Sequence, residues 1–94
     1  TKSYQIKGYY NGKYTQASKR LLSKNELIKM TKHDLKIMRN EIFARYGYRF
    51  KTGGEMEEYF KSQDWYSAQH DNVNDFLTDL EKENIKLIQQ IENE

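Results

Sequence analysis

The sequence contains no cysteine. That excludes disulfides and thiolate chemistry. It also leaves a zinc site short of ligands, since His33 and His70 are the only histidines and zinc needs three or four donors at workable spacing. A cysteine-free chain fits a secreted or envelope setting about as well as a cytosolic one. No apolar run is long enough to span a membrane, and no signal peptide opens the chain. It begins on Thr1, so the expectation is a trimmed piece of a longer protein, with membrane attachment only through an anchor outside this segment. There is no phosphate-binding glycine loop, no nucleophile elbow and no Ser-His-Asp order. Nothing asks for an enzyme or a cofactor, and no catalytic or metal-binding residue is assigned.

Apolar residues are also scarce: 36% of the chain is hydrophobic and the mean hydropathy is −1.08. What is present instead is aromatic surface, with eight Tyr, four Phe and one Trp. Such rings are favourable to pack, which argues for a folded domain over a disordered one. Ninety-four residues make one domain with a small core, hiding roughly 60–65% of the unfolded surface.

Net charge is +2, but it is unevenly spread. Residues 1–53 hold 13 Lys or Arg against 3 acids, and residues 54–94 hold 3 against 11. Either the two halves attract each other across the fold, or the basic half forms a face for an anionic polymer.

Taken in order, Asn11-Gly12 follows Tyr9 and Tyr10 and precedes Tyr14, which predicts a β-hairpin with a type I′ turn. Ser23 with Glu26 forms a capping box opening a helix near 23–30, with Leu22 and Leu27 as its hydrophobic staple. Thr31 with Asp34 opens a central helix over 32–46. Thr52 with Glu55 opens a third over about 54–62, and a last helix is expected over 74–91. There Leu77, Leu80, Asn84, Leu87, Ile88 and Ile91 share a stripe, and Asn84 reads as a buried amide bonded to backbone in a neighbouring loop.

The densest stretch is Arg39-Asn40-Glu41-Ile42-Phe43-Ala44-Arg45-Tyr46-Gly47. Ile42, Phe43 and Tyr46 continue an apolar stripe begun by Leu35 and Met38. Glu41 and Arg45 stand four apart with the acid first, the better orientation for a helical ion pair. Gly47 reads as the helix stop. Leu35 to Gly47 resembles the signature of the YARHG domain, with Phe43 in place of Tyr and Tyr46 in place of His. Similar blocks follow at Glu58-Tyr59-Phe60, Trp65-Tyr66, Asp71-Asn72-Val73 and Glu83-Asn84-Ile85, so that residues 20–91 are covered. The resemblance implies a small module of a bacterial extracellular or envelope protein. If that family uses its histidine as an acid or base, Tyr46 cannot follow it.

The expected fold is mainly α: a small antiparallel cluster of about four helices over 20–94, with residues 1–19 as a β-hairpin extension or linker. The expected function is a non-catalytic extracellular module that binds anionic cell-wall polymers. The alternative is docking to another envelope protein through the aromatic hairpin; nucleic acid is not an expected partner in vivo. Candidate ligand-binding residues are Arg39, Arg45, Tyr46, Tyr48, Arg49, Trp65 and Tyr66. For the arginines, the alternative is a role in tying the helix end to neighbouring loops. For Trp65 and Tyr66, it is a place in the core.

Overall fold

The protein is described here from a computed structural model, which defines residues 11–94. The chain is assembled on α2 (Lys32–Arg45). Its first turn is closed by Thr31, whose hydroxyl accepts a bond from the Asp34 backbone N–H at 3.0 Å. Its last turn ends in a Schellman motif. The Gly47 N–H donates to the Ala44 carbonyl, the Tyr48 N–H donates to the Phe43 carbonyl, and Gly47 takes φ +81°. The apolar contact that accompanies such a cap is made by Phe43 and Tyr48, with ring centroids 6.0 Å apart.

Two faces of α2 are apolar, not one. Leu35, Met38 and Ile42 pack in a cluster with Ala17, Leu22, Leu27, Ile88 and Ile91. Ile37 and Ala44, seven residues apart, join a second cluster with Phe50, Met56 and Phe60. The helix is therefore packed on both sides, and the single stripe read from the sequence describes only part of it.

Against the first face lies α4 (Asp79–Glu92). Lys32, at the start of α2, donates to the Glu92 and Glu94 carbonyls, while Tyr46, just past its end, reaches Glu81 near the start of α4. The two helices are thus antiparallel. α1 (Lys24–Leu27) carries the expected capping box between Ser23 and Glu26 and buries Leu27 against the same cluster. α3 (Glu55–Lys61) covers the second face with Met56 and Phe60. Asn84 is the buried amide that the stripe implied. Its Oδ1 accepts from the Leu22 N–H, and its Nδ2 donates to the Ala17 and Arg20 carbonyls, all within 2.9 Å.

The expected β-hairpin is not supported: its returning strand does not form among the described residues. Tyr9, Tyr10 and the strand expected before the turn lie outside the described residues. Gly12 does have positive φ, +114°, but no non-glycine residue among those described is recorded with the positive φ that the first position of a type I′ turn requires. In place of the returning strand, Tyr14 leads into a 3₁₀ turn at Thr15–Ser18. No strand occurs among the described residues; Tyr48 and His70 form one isolated bridge. The physical reason is that Lys13 and Tyr14 donate their backbone N–H groups to the Glu41 carboxylate, so they are not available for strand pairing.

Two helix starts also differ. The expected helix over 74–91 is split into a 3₁₀ turn at Asn74–Phe76 and α4. Leu77 is extended, and Thr78 with Glu81 forms a capping box that starts the helix afresh. The N-cap of α3 is Gly54, not Thr52; the side-chain bond there runs from the Gly53 N–H to Glu57.

Candidate functional site

The signature stretch is tied inward. Glu41 is buried and accepts three bonds: from Lys13 N–H at 2.8 Å, from Tyr14 N–H at 2.7 Å and from Arg45 Nη1 at 3.0 Å. Arg45 also donates Nη1 to the Asn11 carbonyl and Nη2 to Ser18 Oγ. The pair therefore holds both ends of the segment from Asn11 to Ser18 against α2. Arg39 makes a forked bond to Glu92, through Nε at 2.6 Å and Nη2 at 3.0 Å, and so pins α2 to α4. The Tyr46 hydroxyl donates to Glu81 Oε1 at 2.7 Å, and its ring stacks on Phe76.

Beyond the helix, the Gly47 carbonyl accepts from the Gln69 and His70 N–H groups, and the Arg49 N–H donates to the His70 carbonyl. Arg49 forms an ion pair with Asp71 on the surface. Trp65 and Tyr66 are half-buried in a ring cluster around Phe60 and Phe50. The Tyr66 hydroxyl donates to the Tyr48 carbonyl, and burial pushes its phenol above the ordinary value.

The seven candidate residues do not form one site. Arg45 is buried, Tyr46 turns its hydroxyl to Glu81, and Trp65 packs on Phe60. Arg39 and Tyr48 do meet, in a surface cleft of about 370 Å³. Tyr66 and Arg49 border a different one, of about 310 Å³. The first cleft is completed by Asn40 and Phe43 from α2 and by the loop Asp71–Asn74. Sequence reasoning passed over these residues as ligand contacts. The one available signal was the Asp71-Asn72-Val73 block, of which Val73 is buried while Asp71 and Asn72 are exposed.

Charge pairing crosses the middle of the chain. Lys24 meets Glu94, Lys36 and His33 meet Glu55, Arg39 meets Glu92, and Arg49 meets Asp71. Among the described residues, four Lys or Arg of the basic half are thus set against acids of the other half. Among the described residues, no group of three or more His, Asp or Glu is placed to hold a metal ion, and no helix is long and apolar enough to cross a membrane.

Fold and site together define a small helical module whose charged signature secures its own architecture. The chain belongs to the YARHG domain family, which matches residues 9–93. That match reaches further toward the N-terminus than the resemblance over residues 20–91, and it takes in the segment held by Glu41 and Arg45. The family is generally extracellular or envelope-associated. No curated protein and no solved structure matches the chain.

Proposed function

We propose that this chain is a non-catalytic module of a larger bacterial extracellular or envelope protein, and that it attaches that protein to cell-wall polymer. The observation that carries the reading is the use made of the signature. Arg39, Glu41 and Arg45 are each bonded to another part of the fold, as a scaffold requires; a catalytic acid or base would instead face a substrate across a cleft. The family's general association with the cell exterior supports the location. The cross-chain ion pairs shape the binding mode. With Lys24, Lys36, Arg39 and Arg49 set against acids, attraction to polyanions is weakened around these residues, and contact there falls to local polar groups. The protein-docking alternative finds less support, since Tyr14, the one hairpin tyrosine among the described residues, is packed against both core clusters instead of lying on a strand edge.

Co-sedimentation with purified cell walls tests this. The protein should pellet at low salt and remain bound in about 0.5 M NaCl, where charge interactions are largely screened. Release at high salt would return the binding to electrostatics. A protein that stays in the supernatant at both salts overturns the reading.

A further inference from the structure

We propose that the cleft between α2 and the Asp71–Asn74 loop binds an uncharged sugar unit of a glycan; this rests on the wall-binding reading above and names the chemistry of its contact. The lining is a mixture of rings and neutral amides. Phe43 and Tyr48 supply half-buried ring surface, of the kind that covers the C–H face of a pyranose. Three amides surround it. Asn40 donates Nδ2 to the Lys36 carbonyl, which leaves Oδ1 as an acceptor. Asn72 uses Oδ1 to hold the Asn74 N–H, which leaves its NH₂ as a donor. The Asn74 side chain and the Tyr48 hydroxyl bond to none of the described residues and can both donate and accept. Sugar hydroxyls are donors and acceptors at once, so a lining that offers both suits them.

The charges in the cleft point the same way. Arg39 already holds a carboxylate on Nε and Nη2, and Asp71 is paired with Arg49. Each charged group of the lining arrives with its counter-ion. A phosphate-rich or carboxylate-rich strand would find no unmatched cation there, whereas an uncharged polyol displaces neither pair. The volume, about 370 Å³, lies at the low end of the range of about 300–1,000 Å³ usual for small-ligand sites.

The test is titration of the isotope-labelled protein with tri-N-acetylglucosamine and with maltotriose, followed by backbone and side-chain amide NMR. At least one trisaccharide should give saturable shifts centred on Asn40, Tyr48, Asn72 and Asn74, with little change in affinity between low and high salt. Tyr48→Ala should weaken binding about tenfold. Because Tyr48 also packs on Phe43 in the cap of α2, the deciding variant is Asn74→Ala, at an exposed side chain, with an expected loss of about threefold or more. An absence of saturable shifts with both sugars, shifts centred elsewhere, or an affinity unchanged by Asn74→Ala overturns the proposal. Wall sedimentation separates the two levels. Asn74→Ala that pellets as well as the unchanged protein sinks the cleft but not the module's role, while failure of the unchanged protein to pellet sinks that role itself.

Discussion

The Glu41 carboxylate and the Arg45 guanidinium lie 3.0 Å apart, one turn along α2, with both side chains only 1% exposed. An ion pair at this spacing on a solvated helix would be worth a few tenths of a kcal/mol. This one is removed from water and bonded to the backbone of Asn11, Lys13 and Tyr14 and to the Ser18 hydroxyl. Its value therefore lies in what it holds.

Breaking the pair from one side should be severe. Arg45→Ala leaves a buried carboxylate with its cation gone, and the expected loss is about 3–5 kcal/mol. Replacing both, as Glu41→Gln with Arg45→Ala, should cost clearly less than the sum of the two single changes, because the double variant leaves no charge buried without its partner. Urea unfolding of the four proteins measures this. A single Arg45→Ala whose midpoint barely moves would show that the segment from Asn11 to Ser18 is held by something else.

The two glycines around this network should not tolerate a methyl group equally. A Cβ on Gly12 would stand 2.6 Å from Glu41 Oε2 and 2.7 Å from Oε1, at φ +114°. It would collide with the carboxylate that organises the segment. A Cβ on Gly47 would meet the Ser67 carbonyl at 3.1 Å, at φ +81°. Gly47→Ala is expected to cost on the order of 1 kcal/mol or somewhat more. Gly12→Ala should cost about 2 kcal/mol or more, since strain and overpacking act together. Thermal unfolding of both variants ranks them, and a Gly12→Ala protein as stable as the original would contradict the placement of Glu41.

How far these features were legible differs from residue to residue. The helices were readable where a polar cap announces them: Ser23 with Glu26 and Thr31 with Asp34 both form the bonds their spacing implies. Gly47 was readable because its positive φ has few other uses at the end of a periodic run. The Asn-Gly pair misled because local turn preference competes with the Glu41 carboxylate, which binds Lys13 and Tyr14 from 28 and 27 residues away and which no window of neighbouring sequence contains. The second face of α2 was hidden because Ile37 and Ala44 are sparse, and apolar groups on two sides blur a single stripe. The cleft was hidden because Asn40 and Asn74 are far apart in sequence and individually ordinary.

Acid should expose one local contribution. The Glu26 carboxyl is held down to about 2 by bonds from the Arg20 guanidinium and then from the Ser23 N–H. A folded-state value below the unfolded one means that the stability is present above about pH 4.5 and is lost as pH falls toward 2. The pair is partly open to solvent, so screening limits the effect to about 1 kcal/mol. Glu26→Gln should therefore lower stability at pH 7 and make little difference near pH 2. A gap between the two proteins that stays constant across that range would rule out ionisation as its source.

Tyr46 departs from the histidine of the family signature, and the structure shows what the position requires. Its ring lies on Phe76 and its hydroxyl donates to Glu81 Oε1, which also accepts from the Thr78 N–H, while Glu81 Oε2 is buried without a partner among the described residues. The position holds a flat ring with one donor aimed at a carboxylate, and an imidazole offers a ring and a donor on a shorter side chain, so that Glu81 must move toward it to keep the bond. Tyr46→His should keep the fold, shown by an unchanged amide spectrum away from residues 46, 76 and 81. Tyr46→Phe keeps the stacking and loses the donor, so Glu81 is left with one bond fewer in a buried place, at an expected cost of about 1–3 kcal/mol. The order of stability should therefore be Tyr46 first, the histidine variant close behind, and the phenylalanine variant last. A phenylalanine variant more stable than the histidine one would mean that the ring alone matters. A bond from this position to the capping glutamate of α4 would then contribute little to stability.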